Sequence, residues 1–158
     1  MLLHPMVQPA TPTPMVLSLA KLRQVSPRLK AMLKVRSITT CDQLLAAAGR
    51  YDDRILLARS IRSDLDQLTA LVRQADRSRV KGVGTVFGQM LEDLGIRDVP
   101  SLAQQKPDRL HERLRRHNEA IRLARRSPTA DEVTHWIDQA RRLPVLVTYQ
   151  PLDEEAAG

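Results

Sequence analysis

Apolar residues recur every three or four positions through most of the chain, with polar residues between them. From Thr85 onward the apolar positions are Val86, Phe87, Met90, Leu91 and Leu94. This spacing places side chains on one face of an α-helix. Aromatic residues make up only 3% of the chain, so aliphatic side chains and Met must fill the core. Together these features predict an all-α fold.

Several predicted helices begin at residues that can cap a helix with their own side chains. Ser26 precedes Pro27, a pairing typical of the N-cap and first helical position. Capping boxes are predicted at Thr40, with Gln43 three positions later, and at Thr129. Two further helices are predicted to start at Ser63 and at Asp98.

The longest helix is predicted to begin at Pro107 and to continue until Ser127 and Pro128 break it. Its apolar stripe consists of Leu110, Leu114, His117, Ile121 and Ala124. We therefore interpret His117 as a packed core residue. Trp136, on a similar stripe of the last helix, is also predicted to be core, and residues 145–149 follow as an extended apolar run.

A gap-free repeat relates two parts of the chain at an offset of 58 residues. The matching pairs are Val25 and Val83, Met32 and Met90, Leu33 and Leu91, Ile38 and Ile96, and Leu44 and Leu102. In the first copy Gln24 and Ser26 stand where the second copy has Gly82 and Gly84. We expect the first copy to keep the shape of the second, but to admit an anion less closely.

This repeat gives a domain plan of two copies packed as one compact unit. Residues 1–17 are a predicted disordered, Pro-rich arm, because prolines at this spacing prevent a helix. The first copy, which is degenerate, occupies residues 18–76. The second copy occupies residues 77–150 and includes the long helix and the C-terminal helix. Residues 151–158 form an acidic tail.

The most informative stretch is the Gly82-Val83-Gly84 turn between two predicted helices. Glycine tolerates positive φ and lets other groups approach the backbone, while Val83 is expected to lie in the crevice between the helices. The helix that begins after Gly84 has unpaired N–H groups and a partial positive charge, which favour an anion such as phosphate. Lys81 adds a charge beside it. No nucleotide-binding Gly-rich motif of the Walker or dinucleotide type is present.

The predicted phosphate-contacting residues are Arg79, Lys81, Gly82, Val83, Gly84, Thr85, Arg125 and Arg126. The two late arginines rank below the turn. Arg113 and Arg122 are further candidates of the same rank, whereas Arg115 and Arg116 have acidic partners four positions away, Glu119 and Glu112, and such pairs are typical of a solvated helix face. A purely structural turn remains the alternative for Gly82-Val83-Gly84.

The overall charge agrees with a polyanionic partner. The net charge is +7 and the isoelectric point is about 10.3. We find no catalytic triad, no metal-ligand spacing among the histidines and no acidic pair suited to magnesium, so we expect neither an enzyme nor a cofactor nor a bound metal. The single Cys41 fits a reducing compartment. Since no apolar run is long enough to span a bilayer and no secretion signal is evident, we expect a cytoplasmic protein without a membrane partner.

The combined pattern resembles a bacterial family of unassigned function that is built from two helix-hairpin-helix repeats. The residues that carry this resemblance include Ile38-Thr39-Thr40, Val80-Lys81-Gly82-Val83-Gly84, Leu94-Gly95-Ile96, Pro128-Thr129, Trp136-Ile137 and Val147-Thr148-Tyr149. The resemblance implies an all-helical fold and no established reaction. In the wider helix-hairpin-helix class, the glycine amides and a nearby lysine contact DNA phosphates without reading bases, which would implicate Lys81 to Thr85.

The sequence therefore favours sequence-independent nucleic-acid binding, with DNA as the partner. The first alternative is a protein-interaction adaptor that kept the hairpin shape and lost DNA binding, an idea that agrees with the acidic Glu92 and Asp93 and with the glycines missing from the first copy. A weaker alternative is an accessory subunit that positions a nuclease or polymerase of another chain.

Overall fold

The computed structural model describes residues 17–150, which are helical, with no strand among them. The all-α prediction is confirmed. A short 3₁₀ helix, Leu19–Lys21, precedes eight α-helices. These are α1 (Pro27–Val35), α2 (Cys41–Ala48), α3 (Tyr51–Ser60), α4 (Leu65–Arg77), α5 (Gly84–Asp93), α6 (Val99–Ala103), α7 (Pro107–Ile121) and α8 (Ala130–Arg142). The predicted acidic tail and all of the predicted arm except Leu17 lie outside the described residues.

Most of the predicted helix starts are confirmed. The Ser26 hydroxyl accepts a hydrogen bond from the Leu29 N–H at 3.1 Å, and Pro27 is the first residue of α1. Thr40, Asp98 and Thr129 each form a capping box at the start of α2, α6 and α8. The prediction of Ser63 was wrong by one residue. Asp64 caps α4, because its carboxylate accepts the Asp66 N–H at 2.9 Å.

The end of the longest helix differs from the prediction. α7 ends at Ile121, and Arg122 follows with φ of +50°. The Asn118 amide donates to the Ala124 carbonyl at 3.1 Å and accepts the Ala124 N–H at 2.9 Å, so a side chain replaces the next helical hydrogen bonds. His117 is not a core residue, since its Nε2 lies 2.9 Å from the Asp93 carboxylate on α5 and its side chain is partly exposed. Ile121 is also largely exposed.

The backbone recurs at the 58-residue offset that relates the two parts of the sequence. Helices α1, α2 and α3 correspond in order to α5, α6 and α7. Gln24 adopts φ of +58° where the second part has Gly82 at +93°, and Ser37 adopts +62° where it has Gly95 at +84°. Thr40 and Asp98, also 58 apart, both cap the following helix. The domain boundaries proposed from the repeat stay a prediction.

Two clusters of buried apolar side chains lie one after the other along the chain. The first extends from Leu19 to Ala75, where α2 packs against α3 and α4. The second extends from Val80 to Ala140, where α8 packs against α6 and α7 and α5 packs against α7. Trp136 is 1% exposed in this cluster, as predicted for a core residue.

The C-terminal segment returns to the first cluster. Val147 is buried there, although the preceding Val145 and Leu146 are exposed. The Thr148 N–H donates to the Gly49 carbonyl at 3.0 Å, and the Tyr149 hydroxyl donates to Asp98 in the second part of the chain. Residues 145–149 therefore link both parts of the molecule without forming a strand.

None of the helices in residues 17–150 combines the length and the apolar character that crossing a membrane would require.

Candidate nucleic-acid interface

The turn between α4 and α5 is fixed by two buried valines and two glycines. Val80 and Val83 are 2% and 4% exposed and belong to the second apolar cluster. Gly82 and Gly84 have φ values of +93° and +66°, a region that side chains disfavour. The expectation that Val83 packs between the helices is confirmed. Burial of the valines leaves the glycine backbone and Lys81 on the surface.

Helix α8 packs against this turn and fixes its backbone. The Gln139 side chain accepts the Lys81 N–H at 2.8 Å and donates to the Lys81 carbonyl at 2.9 Å. A Cβ atom added to Gly82 would lie 3.4 Å from the Trp136 indole nitrogen. Because the Lys81 backbone is fixed by Gln139, its side chain extends from a defined point.

The start of α5 offers free hydrogen-bond donors. The backbone N–H groups of Gly84, Thr85 and Val86 have no acceptor within the described part of the chain, and these residues are exposed. No side chain caps α5, and its first turn contains no acidic residue. Each of the other seven described α-helices has a side-chain cap, an acidic residue in its first turn, or both. The positive end of the α5 dipole is therefore uncompensated.

The start of α1, which is the corresponding position in the first part of the chain, has a side-chain cap and a proline. At the start of α1 the Ser26 hydroxyl occupies the Leu29 N–H, and Pro27 has no N–H to offer. Thr85 lies 58 residues after Pro27, so the two helix starts are directly comparable. Within the described residues the Ser26 and Arg28 N–H groups have no acceptor either, so the start of α1 differs from that of α5 by the Ser26 cap and by the missing N–H of Pro27.

Arg79 has protein partners and contributes little exposed charge. Its guanidinium donates to the Asp76 carboxylate at 2.7 Å and to the Pro144 carbonyl at 2.6 Å, and 11% of its side chain is exposed. Asp76 also accepts the Val99 N–H at 2.9 Å. Burial raises the pKa of Asp76, an effect that the hydrogen bonds of Val99 and Arg79 oppose. The geometry gives Arg79 the role of joining α4 to the segment after α8.

Arg126 lies close to α5, while Arg125 is in the loop before it. The Arg126 guanidinium is 5.4 Å from the centre of the Phe87 ring and pairs with Glu132 at 2.6 and 3.1 Å. Hydrogen bonding from Arg126 holds the pKa of Glu132 at about 2. Arg125 is exposed and borders a shallow depression with Arg122. The structure thus brings Arg126, but not Arg79, to the surface beside α5.

The acidic residues of α5 lie at the opposite end of this helix from the glycines. Glu92 is eight residues beyond Gly84, which is about 12 Å along a helix that rises ~1.5 Å per residue. Asp93 is paired with His117, and Glu92 lies 3.5 Å from an Arg77 nitrogen. Their charges are therefore partly balanced, and they are distant from the open N-terminus.

Other kinds of site find less support. Among residues 17–150, no group of three or more His, Cys, Asp or Glu side chains is suited to hold a metal ion. Cys41 is buried, and burial raises the pKa of its thiol.

Sequence reasoning missed Gln139, the residue that fixes Lys81. Gln139 is a polar residue on an amphipathic helix, so its spacing resembles that of any solvent-facing position. Its function depends on a contact between residues 58 positions apart, which local patterns do not reveal.

Within residues 17–150 the molecule is all-helical, and the Gly-Val-Gly turn precedes a helix with neither a side-chain cap nor an acidic first turn. The sequence profile of a family described as a domain of unknown function, DUF4332, matches residues 23–143. The chain belongs to this family. No curated protein and no solved structure gives a significant match.

Proposed function

We propose that this protein binds nucleic acid, with DNA as the partner, through backbone phosphates at the start of α5, in the manner of a helix-hairpin-helix. The main observation behind this proposal is the set of free N–H groups at Gly84, Thr85 and Val86. Amides at a helix start bind phosphate because donors and dipole act together. The protein acts as a binding module without a reaction of its own.

Charge near the turn supports the same proposal. Lys81 is exposed and its backbone is fixed by Gln139, so its ammonium group can contact a phosphate beside the one bound by the amides. The Arg126 guanidinium lies over the ring of Phe87, which is on α5, and Arg125 precedes Arg126 in the sequence. Val83 supports the turn from inside the core. The free amides, Lys81, Arg125 and Arg126 suit phosphates, and none of these groups is a reader of base edges in this proposal, which favours binding without sequence preference.

The proposal assigns the contact to the second part of the chain alone. The start of α1 has its own cap, and Pro27 replaces one of the free amides. A protein with two equivalent hairpins would contact both strands of a duplex symmetrically. Here we expect the principal phosphate contacts of each chain to come from the α5 turn and its neighbouring cationic side chains.

A protein-interaction adaptor is the second candidate function. It is favoured by two exposed aliphatic residues in the first part of the chain, Val35 at 82% and Leu56 at 62% exposure. Apolar side chains in water are typical of protein-binding surfaces when they form a patch. An adaptor would not require the open N-terminus of α5.

Binding of a fluorescently labelled duplex of random sequence separates these functions. We compare the wild type with Lys81→Glu and, as the control, with Lys30→Glu on the exposed side of α1. Both changes lower the net charge from +7 to +5, so a general charge effect is equal in the two variants. We expect Lys81→Glu to weaken binding by about tenfold or more and Lys30→Glu to have a much smaller effect. Equal effects, or no duplex binding by the wild type, would reject the proposal.

A further inference from the structure

A second cluster of cationic groups surrounds a small cavity between α4 and α5. The cavity measures about 50 Å³ and is bordered by Ala70, Arg73, Gln74, Arg77, Glu92 and Arg97. A single buried water needs ~10–15 Å³, so the cavity admits a small ion or one terminal phosphate group. It shares no residue with the Lys81 to Thr85 turn.

The guanidinium groups at this cavity have few good partners. Arg77 is 8% exposed, yet its two hydrogen bonds within the described structure, to the Arg97 carbonyl and to Glu92, are long at 3.4 and 3.5 Å. The Nε of Arg73 is buried with no hydrogen-bond partner in residues 17–150. A guanidinium has five donors, and buried donors without acceptors are unfavourable. The cavity therefore has more donors than acceptors.

The charge balance is also positive. Three arginines border the cavity, against the single carboxylate of Glu92, whose side chain is 35% exposed. Asp98 is nearby, but it accepts hydrogen bonds from Tyr149 and Ser101. The Arg73 guanidinium lies 4.6 Å from the centre of the Tyr149 ring, which fixes its position. Burial lowers the pKa of Arg77, so a bound anion would relieve an unfavourable state.

We propose that this cavity binds a small tetrahedral oxyanion of the phosphate class, held by the guanidinium groups of Arg73, Arg77 and Arg97. Planar guanidinium forks match the oxygens of phosphate, and several such groups around one recess make a specific anion site. The small volume fits one phosphate group. The DNA-binding proposal does not depend on this site, nor does this site depend on it.

Anion binding at this cavity should increase the thermal stability of the protein. Arg73 and Arg77 are on α4, Glu92 is on α5 and Arg97 lies between α5 and α6. A ligand that binds only the folded form raises the stability in proportion to the logarithm of its concentration. We therefore expect inorganic phosphate to raise the melting temperature more than chloride at equal ionic strength.

The test measures melting temperature and calorimetric binding of inorganic phosphate for the wild type, Arg97→Gln and Arg59→Gln. Arg97 and Arg59 are both exposed, so neither substitution should prevent folding. We expect Arg97→Gln to weaken phosphate binding by about tenfold or more, and Arg59→Gln to leave it unchanged. Lys81→Gln should also keep the phosphate effect, which separates this site from the α5 turn.

A second arm identifies the source of the phosphate. Stabilisation by a 5′-phosphorylated dinucleotide, but not by its unphosphorylated form, would also support the site and would assign the phosphate to a larger molecule. The proposal is overturned if phosphate stabilises no more than chloride, or if Arg97→Gln responds to phosphate as the wild type does.

Discussion

Gly82 and Gly84 lack a side chain for different reasons, although both have positive φ. At Gly82 the space beside the backbone is limited by Trp136, whereas a Cβ atom at Gly84 would meet no atom within 4 Å. A side chain at Gly82 would therefore touch the Trp136 ring, and φ of +93° is also further than +66° from the left-handed region that L-residues can adopt. Gly84 is required for the backbone conformation and leaves the surface open for a ligand.

This difference predicts unequal effects of two alanine substitutions on the free energy of unfolding. Gly84→Ala should lower it by about 1 kcal/mol, because a left-handed conformation costs an L-residue ~1–2 kcal/mol. Gly82→Ala should lower it further, since φ of +93° is less accessible to an L-residue than +66° and the new Cβ would also touch the Trp136 ring. Denaturant unfolding measures both values. Equal losses would contradict this difference between the two positions.

Glu132 gives a prediction about acid stability. Its carboxylate accepts two hydrogen bonds from Arg126 and one from the Thr129 N–H, and its pKa of about 2 in the folded state is below its ordinary value of 4.5. A depressed pKa means that the stabilisation is present above pH ~4.5 and is lost as the pH falls towards 2.

Comparison with Glu132→Gln isolates this contribution, because glutamine can keep the capping box while removing the charge. At pH 7 the wild type should be more stable by no more than about 1 kcal/mol, since Arg126 is 61% exposed and exposed pairs contribute little. The difference should disappear as the pH approaches 2. A difference that is constant with pH would contradict the assignment. Denaturant unfolding across this pH range is the measurement.

At the scale of single elements, the starts of α1 and α5 differ more than their sequences suggest. Both follow a residue of positive φ at the same repeat position, Gln24 in one case and Gly82 in the other. Ser26 then caps the Leu29 N–H of α1 and Pro27 has no N–H, whereas α5 has no side-chain cap and Thr85 keeps its free N–H. Two residues thus distinguish the capped start of α1 from the uncapped start of α5.

Transferring these two residues tests their importance. The double variant Gly84→Ser with Thr85→Pro gives α5 the residue pair of α1, and we expect it to fold to the same helical content with a loss of stability from the positive φ at position 84. Duplex binding should fall by about tenfold or more, because the amides lose hydrogen bonds to charged phosphate oxygens. Circular dichroism and fluorescence anisotropy measure the two properties. Unchanged affinity in a folded variant would show that the amides are not the contact.

Local patterns predicted most of the helix starts but not every helix end. Capping depends on residues three positions apart, so Ser26, Thr40 and Thr129 were recognisable in the sequence. The end of α7 was missed because Asn118 bonds to Ala124 across a loop, which periodicity does not indicate. His117 was misjudged for a related reason, since its partner Asp93 is on another helix. At the candidate site, the local sequence predicted the turn, but it did not predict the hydrogen bonds from Gln139 to the Lys81 backbone.

At the scale of the whole molecule, a buried arginine joins the end of α2, helix α4 and the segment after α8. Arg54 on α3 is 1% exposed and donates to the carbonyls of Ala48, Gly49 and Thr148 at 3.1, 2.9 and 2.7 Å, and to the Thr69 hydroxyl at 3.1 Å. Burial lowers the pKa of its guanidinium. No sequence pattern singled out Arg54, because its acceptors are mostly backbone atoms.

Arg54→Lys should therefore be strongly destabilising despite keeping the charge. A lysine ammonium has one donor centre and cannot replace a planar group that reaches four acceptors. We expect a loss of at least about 3 kcal/mol, since hydrogen bonds to charged groups contribute ~1.5–3 kcal/mol each. Arg59→Lys on the exposed side of α3 is the control and should change stability by less than ~0.5 kcal/mol. Equal denaturant midpoints for the two variants would refute this role.

The measurement that tests the central claim most directly is the salt dependence of duplex affinity for the wild type and Lys81→Gln. A protein that neutralises phosphates loses affinity with a slope of about −0.9 per phosphate when log K is plotted against log salt. We predict a steep slope for the wild type, similar for unrelated duplex sequences, and a slope smaller in magnitude by about 0.9 for Lys81→Gln. A flat wild-type slope, or equal slopes for the two proteins, would contradict phosphate binding at the start of α5.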